Sequence, residues 1–260
     1  MKTNKRFLLF VGIFSICIFS AKVGLSAPMT FGDGGASLQG IIDDITVGGP
    51  STVDVTTDAL SDTNDSYWSI TGSGGSISTI IIELAGYAGT NQFGIYDQTD
   101  SSNKVVLFEG SDSTGDQKAI GIKDTGEVVI NFASTGVFFA GNSFGYFLED
   151  THNPNNIKTW YSDTSLNSDG YDHMVSYQGN DTDTIQMPGF APGLWTDNEY
   201  ILAFEDLPLA YSDGDYNDFV VIVESVQPVP EPGTVALLGL GLVGLVGAGI
   251  RKKKKNKSLI

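Results

Sequence analysis

Cysteine and histidine, two residue types that often build active sites and metal centres, are scarce in this chain. Of its 260 residues, only Cys17 is a cysteine and only His152 and His173 are histidines. A single cysteine excludes an intrachain disulfide framework and a cysteine-ligated metal site. Two histidines are too few for a histidine-rich metal site. No His-Glu-x-x-His motif and no glycine-rich phosphate loop occurs. We therefore expect a protein that is not an enzyme.

Basic residues are almost absent from the middle of the chain. Residues 28–232 contain all 31 acidic residues but only four lysines and no arginine. Such a field repels phosphate backbones, whereas nucleic-acid affinity depends largely on neutralising them. The composition therefore excludes nucleic acid as a partner. The other ten basic residues lie near the two termini.

The N-terminal segment has the pattern of a secretory signal peptide. Lys2, Lys5 and Arg6 precede an apolar run from Phe7 to Phe19, and small residues follow at 24–27. A basic start, a short apolar run and small residues are typical of signal peptides. We predict that residues 1–27 are a signal peptide; an uncleaved anchor helix is the alternative.

The C-terminal segment predicts a single transmembrane helix. Residues 234–250 carry no charge and precede a basic tail at residues 251–257. A helix of this length spans about 26 Å, slightly less than the ~30 Å hydrocarbon core of a bilayer. The basic tail is expected to stay in the cytoplasm. Both termini thus predict export of the intervening domain, residues 28–228. The helix is either an ordinary anchor or part of a processing signal.

A short proline-rich segment precedes this predicted helix. Pro230, Glu231 and Pro232 form a stiff segment with few backbone hydrogen-bond donors. Together with the glycine- and leucine-rich helix and a basic tail that begins at Arg251, residues 229–257 resemble a PEP-CTERM sorting signal. The resemblance implies recognition by exosortase in a Gram-negative envelope, a precursor anchored in the inner membrane, and a mature protein at the cell surface or outside the cell. It also implies an association with exopolysaccharide and biofilm.

The exported region reads as strands separated by turns. Short runs rich in Val, Ile, Phe and Tyr are bounded by Gly, Asp, Asn and Ser, which is typical of β-strands. The predicted strands are Thr52–Thr56, Ser78–Leu84, Lys104–Phe108, Glu127–Phe132, Val137–Ala140, Phe144–Leu148, Tyr200–Phe204 and Phe219–Val226. We predict an all-β antiparallel sandwich with jelly-roll-like connectivity and one short helix, Leu38–Ile45.

Two further patterns concern the arrangement of these strands. Gly72–Gly75 and Asp112–Asp116 are predicted to be hairpin turns. Asn91–Tyr96 and Asn142–Phe147 have similar sequences. The similarity has two interpretations, equivalent strands of a duplicated sheet or chance convergence on a strand pattern.

Acidic side chains are densest just before the last long predicted strand. The segment contains Gly214 and four residues with oxygen-bearing side chains: Asp213, Asp215, Asn217 and Asp218. Glu205-Asp206 ends the preceding predicted strand. Ca²⁺ binds six to eight oxygens, and short acidic side chains on a glycine-containing turn can supply them. If the two strands form a hairpin, Glu205 and Asp206 could face the same point as the acidic residues of the turn. The hypothesis is a calcium site; the alternative is that Asp and Asn only form the turn and cap its backbone amides.

A second acidic turn lies at Ser165–Gly170. Asn167 and Asp169 have the spacing of the first half of an EF-hand loop. Ser176 stands where an EF-hand requires a bidentate glutamate, so the segment is not an EF-hand. We interpret it as a turn that could supply one or two ligands.

These segments together resemble an uncharacterised bacterial domain. The resemblance covers residues 143–226 and includes Phe144–Glu149, Leu166–His173, Ala203–Leu207 and, most specifically, Ser212–Val221. This domain recurs in bacterial surface and PEP-CTERM proteins. The resemblance implies a β-rich exported module without an established activity.

The combined expectation is a non-catalytic, exported surface or matrix protein that is sorted by exosortase and stabilised by calcium. Trp68, Trp160 and Trp195, with ten tyrosines, raise an alternative, a carbohydrate-binding module with a stacking face, although core packing and strand surfaces explain most of these aromatic residues equally well. A secreted polysaccharide-degrading enzyme is the third possibility. Extracellular polysaccharide is the expected partner outside the cell.

Overall fold

The computed structural model describes residues 37–73, 75–83, 88–187, 189–208 and 210–230. The predicted signal peptide 1–27 and transmembrane helix 234–250 lie outside these residues, as do Glu231, Pro232 and Arg251. Among the residues described, no helix is long and apolar enough to cross a bilayer.

Short β-strands are the main regular structure, at 43% of the described chain. The helical segments are α1 (Leu38–Ile45), α2 (Asp62–Asp65) and two 3-10 turns, Ala88–Thr90 and Thr164–Leu166. The strands are β1 (Trp68–Ile70), β2 (Ser76–Glu83), β3 (Asn91–Asp97), β4 (Asp100–Glu109), β5 (Gln117–Ile122), β6 (Glu127–Ile130), β7 (Ala133–Phe138), β8 (Ser143–Asp150), β9 (Lys158–Tyr161), β10 (Met174–Gln178), β11 (Thr184–Ile185), β12 (Gly193–Leu194), β13 (Glu199–Phe204), β14 (Phe219–Glu224) and β15 (Val226–Pro228). The predicted helix coincides with α1.

The strands form two large antiparallel sheets and one small ribbon. The six-stranded sheet has the order β15-β1-β8-β3-β4, with β9 also paired to β8. The seven-stranded sheet has the order β10-β13-β14-β2-β5-β6-β7, and β11 pairs with β12. The prediction of an all-β, antiparallel fold is confirmed. The jelly-roll connectivity stays a prediction.

Aromatic side chains pack the two large sheets face to face. The ring of Phe93 on β3 lies 5.0 Å from that of Phe219 on β14 and 5.7 Å from that of Phe204 on β13, measured between centroids. All three side chains are buried in the same core cluster. Aromatic pairs of this kind contribute about 0.5–1.5 kcal/mol beyond the area they bury.

A second core lies on the other face of the seven-stranded sheet. The buried residues of α1 are Leu38, Ile41, Ile42 and Ile45, which form one stripe along the helix. They belong to the same cluster as apolar side chains of β10, β13 and β14. These three strands are therefore covered on both faces, which explains why the sequences of β13 and β14 are nearly continuous in apolar residues.

The predicted strand Thr52–Thr56 is wrong. Val53 and Val55 are buried against α1, as an alternating pattern requires. Their backbone groups, however, bond to side chains instead of a neighbouring strand. The Gln39 amide donates to the Val53 carbonyl (3.0 Å) and accepts from the Val55 N–H (3.0 Å). An alternating sequence cannot show whether its backbone partner is a strand or a side chain.

The prediction of two hairpin turns is also wrong. The connection through Gly72 and Gly75 leads from β1 in the six-stranded sheet to β2 in the seven-stranded sheet. The connection Asp112–Asp116 leads from β4 to β5 and also changes sheets. Both are turns, but each connects a strand of one large sheet to a strand of the other.

The two similar segments are neighbours in one sheet. β3 and β8 pair antiparallel, so that Gly94 lies opposite Phe147 and Gly145 lies opposite Tyr96. A Cβ atom on either glycine would overlap the facing aromatic ring. Each glycine thus makes room for the other strand's aromatic residue, and the pairing relates the two segments by a local two-fold axis.

Candidate cation site

The hairpin of β13 and β14 positions the acidic residues. The two strands pair from Glu199 opposite Glu224 to Phe204 opposite Phe219. Glu205 and Asp206 leave one strand where Asp218 enters the other. The Asp206 N–H donates to the Asp218 carboxylate (2.9 Å), which closes the base of the loop. The hairpin on which the calcium hypothesis depended is therefore present.

Two groups of carboxylates meet at this loop, and Glu205 belongs to both. Carboxylate oxygens of Glu205, Asp206 and Asp218 lie within 4.8 Å of one another. Oxygens of Glu205, Asp213 and Asp215 satisfy the same limit. The structure thus brings together five of the six residues considered for the calcium site.

Asn217, the sixth residue, has a different contact. It is buried, and its side-chain amide donates to the Asp215 carboxylate. Its place in the loop therefore orients one of the acidic side chains.

The first group carries a strong electrostatic penalty when it is ionised. Burial raises the pKa of Glu205 and Asp206 to about 7 and that of Asp218 to about 8, and neighbouring carboxylates add to the rise. The ion pairs found among the described residues involve other side chains. Like charges held this close favour either a shared proton or a bound cation.

One oxygen of Glu205 is buried without a hydrogen-bond partner. The residue is 3% exposed, and its Oε2 atom accepts no hydrogen bond. Leaving a buried acceptor unsatisfied costs about 1–3 kcal/mol, and more when the group is charged. A cation at this point would satisfy Oε2 and at the same time reduce the repulsion among the three carboxylates.

The backbone beneath the carboxylates is fixed by two aromatic side chains. The Trp160 indole N–H donates to the Asp206 carbonyl (2.7 Å), and His173 Nδ1 lies 3.1 Å from the Glu205 carbonyl oxygen. The two rings stack with centroids 3.7 Å apart. Both are buried, so they hold the Glu205-Asp206 segment against the core. The sequence contains no signal for these contacts, because His173 and Glu205 are separated by 32 positions along the chain, and Trp160 and Asp206 by 46.

The second acidic turn is built differently. Asn167 Oδ1 accepts from the Tyr161 N–H (2.7 Å), and its Nδ2 donates to the carbonyls of Tyr161 (3.0 Å) and Tyr171 (2.9 Å). Asp169 accepts from the Tyr171 N–H (3.1 Å), and its other oxygen lies 3.0 Å from His173 Nε2. Asp169 belongs to neither carboxylate group. Its contact with His173 connects the turn indirectly to Glu205.

Comparison with protein families gives two matches, which follow one another along the chain. Residues 134–226 match the family described as "Domain of unknown function (DUF4114)", and residues 228–253 match the "PEP-CTERM protein-sorting motif". The chain carries a DUF4114 domain followed by a PEP-CTERM sorting region. No curated protein and no solved structure matches it.

The DUF4114 match contains the acidic loop but only part of the fold. It begins within β7 and ends at the first residue of β15. β2, which pairs with β14, and β3, which pairs with β8, both precede the match. The PEP-CTERM match begins at the last residue of β15, and Pro230 of the predicted signal is exposed. The sorting region thus follows the folded domain without a long linker.

The three tryptophans do not form a sugar-stacking face. Trp68, Trp160 and Trp195 are at most 1% exposed. Trp68 packs edge-on against Tyr146 and Tyr200 in the core. The tryptophans therefore support core packing and give no basis for carbohydrate recognition.

One catalytic-looking spacing also has a structural explanation. Gly141, Ser143 and Gly145 have the Gly-x-Ser-x-Gly spacing of hydrolase nucleophile elbows. A nucleophile elbow places its serine on a tight turn between a strand and a helix. Ser143 is instead the first residue of β8 and pairs with Ser69 of β1. His173 contacts Glu205, and the next residue, Asp206, accepts from Asn91, which lies opposite Asp150 at the other end of β8.

Proposed function

We propose that this protein is a non-catalytic component of the cell surface or extracellular matrix whose DUF4114 domain is stabilised by Ca²⁺. The PEP-CTERM region implies an exported protein that exosortase sorts at the membrane of a Gram-negative bacterium. Association with extracellular polysaccharide or biofilm is part of the proposal, and the resemblance of the sorting signal supports it.

The observation that carries the calcium proposal is the unpartnered Glu205 Oε2 within a group of buried and half-buried carboxylates. The donors are all oxygens, which suits Ca²⁺ better than softer metals. The exported region contains no cysteine that could provide another type of ligand. Glu205, Asp206 and Asp218 would hold the ion. Asp213 and Asp215, which form the other carboxylate group with Glu205, could add further oxygens.

Thermal unfolding of the full chain in mild detergent tests the calcium proposal. The three buried tryptophans report unfolding through their fluorescence. Melting is compared in EDTA, in Ca²⁺ and in Mg²⁺ at equal ionic strength. At a calcium concentration 100-fold above the dissociation constant, one site adds about 2.7 kcal/mol of stability. We expect a rise in melting temperature that Ca²⁺ produces and Mg²⁺ does not.

Two variants make this experiment specific. Asp218→Asn removes a carboxylate of the group and should abolish the calcium response. Asp124→Asn removes an exposed carboxylate from the turn between β5 and β6 and should retain the response. An equal response to both cations, or a full response in Asp218→Asn, would contradict the proposal.

The surface role requires a cellular test. Cells that produce the chain with Pro230, Glu231 and Pro232 replaced by alanine should accumulate the uncleaved form in the membrane fraction. The unaltered chain should reach the surface or the medium and be retained with extracellular polysaccharide. Loss of that retention after EDTA treatment would connect the surface role to the cation site. Identical distribution of the two chains would contradict sorting through this segment.

A further inference from the structure

Asn91 joins the acidic loop from the opposite sheet. It is the first residue of β3 in the six-stranded sheet, whereas Glu205 and Asp206 follow β13 of the seven-stranded sheet. Its Nδ2 atom donates to Asp206 Oδ2 (3.1 Å), although the two residues are 115 positions apart. Asn91 is 2% exposed, so this contact lies inside the fold. Asn91 also precedes the DUF4114 match.

The other atom of the same amide has no partner. Asn91 Oδ1 is buried and accepts no hydrogen bond, as is also the case for Glu205 Oε2. A side-chain amide oxygen can accept two hydrogen bonds, and a buried one without a donor is costly. Asn91 and Glu205, which both adjoin Asp206, therefore each carry an unsatisfied oxygen. Asn91 belongs to the six-stranded sheet, and Glu205 follows β13 of the seven-stranded sheet.

We propose that Asn91 is a further ligand of the calcium site and that the bound ion joins the six-stranded sheet to the seven-stranded sheet. This inference rests on the proposed function. Asparagine carbonyl oxygens are common Ca²⁺ ligands, so Oδ1 has suitable chemistry. Its Nδ2 meanwhile orients Asp206 toward the ion. Asp150, opposite Asn91 on β8, adds negative charge to the same end of the sheet.

Such a site couples the DUF4114 match to the strands that precede it. Without the ion, the hydrogen bonds from Asn91 and the Trp160 indole to Asp206 connect the sheets at this point. With the ion, metal–oxygen bonds from both sheets are added. Calcium would therefore stabilise the packing of the two sheets, in addition to ordering one loop.

Calcium titration calorimetry on the full chain in detergent, after removal of metal with EDTA, tests this inference. Asn91→Ala removes both amide atoms and should raise the calcium dissociation constant at least tenfold. Asn91→Asp cannot donate to Asp206 when ionised but retains an oxygen ligand, so its dissociation constant should stay within about threefold of the unaltered chain or fall.

The similar segment provides a matched control. Asn142 occupies the corresponding position in the second segment, but it is exposed at the opposite end of the strand pair and donates to the Ile70 carbonyl. Asn142→Ala should bind calcium like the unaltered chain. Tryptophan fluorescence in EDTA checks that each variant is folded, and the comparison with Asn91→Asp decides the question if Asn91→Ala does not fold.

The outcomes separate this inference from the proposed function. If the unaltered chain binds no calcium, both fail. If it binds calcium and Asn91→Ala binds equally well, only the role of Asn91 is wrong. Equal loss of binding in Asn91→Ala and Asn91→Asp would show that Asn91 acts through its hydrogen bond to Asp206, which also overturns its role as a ligand.

Discussion

Two acidic segments of this chain look alike in sequence but differ in the use of their oxygens. The loop between β13 and β14 and the turn at Ser165–Gly170 both combine Asp, Asn and Gly. In the turn, the Asn167 amide makes three hydrogen bonds to the backbone of Tyr161 and Tyr171. In the loop, Glu205 Oε2 remains buried and unpartnered. Residue composition thus predicts an acidic turn, whereas its hydrogen bonds decide whether oxygens remain for a ligand.

The difference follows from the distance over which each segment is held. The contacts of Asn167 reach only four and six residues along the chain, so the turn satisfies itself locally. The loop's carboxylates are brought together by the pairing of β13 with β14 and by side chains from β3 and β9. A scaffold of this kind can hold like charges close together. A short turn would instead change its conformation and so reduce the repulsion between them.

Replacing Asn167 should have the largest effect on folding. Asn167→Ala leaves one N–H and two carbonyls without their side-chain partner, and each unsatisfied buried group costs about 1–3 kcal/mol. We expect a loss of about 3 kcal/mol or more in urea unfolding, equal in EDTA and in calcium. Asn155→Ala, at an exposed position, should change stability by less than about 0.5 kcal/mol. A loss seen only in calcium would make the turn a ligand site and remove the contrast.

Replacing Glu205 should change sign with calcium. Glu205→Gln removes a buried charge from a repulsive group, so in EDTA we expect the variant to be more stable by about 1 kcal/mol. In saturating calcium the unaltered chain gains about 2.7 kcal/mol at 100 times its dissociation constant, and the variant should not. Urea unfolding under both conditions measures the two differences. A variant that is less stable in both conditions would show that Glu205 is a structural residue.

The pH dependence should distinguish the loop from the turn. The raised pKa values of Glu205, Asp206 and Asp218, about 7 to 8, mean that the folded chain holds protons that the unfolded chain releases. Between the ordinary carboxyl pKa near 4 and about 8, raising the pH therefore favours unfolding. In EDTA we expect stability to fall across this range, and calcium should reduce the fall.

Urea midpoints at four pH values between 5 and 8 measure this slope. Asn167→Ala should lower the midpoints at every pH and leave the slope unchanged. Glu205→Gln should make the slope shallower. An unchanged slope in Glu205→Gln would assign the pH dependence to other buried carboxylates. Asp65 and Asp172 are the next candidates, because burial raises the pKa of both.

The sequence predicted those features that depend on local pattern. The stripe of α1, the apolar runs of β13 and β14, and the meeting of Glu205, Asp206 and Asp218 at one hairpin all follow from periodicity and spacing. Sheet membership did not follow, because turns within a sheet and turns between sheets have the same residues. Asn91, Trp160 and His173 could not be assigned to the site, because their contacts with the loop depend on the packing of the two sheets.

Replacing Asp169 should have the smallest effect, because this residue belongs to neither carboxylate group and contacts His173, which in turn contacts Glu205. Asp169→Asn keeps one side-chain oxygen, which can still accept from the Tyr171 N–H, and replaces the oxygen beside His173 Nε2 with an amide nitrogen that can donate to a neutral imidazole. We expect stability to change by about 1 kcal/mol or less and the calcium dissociation constant to stay within about threefold. Calorimetry with Asp218→Asn as the comparison measures both effects. A tenfold loss of calcium affinity in Asp169→Asn would mean that the turn and the loop act as one site, because His173 would then transmit the charge of Asp169 to Glu205.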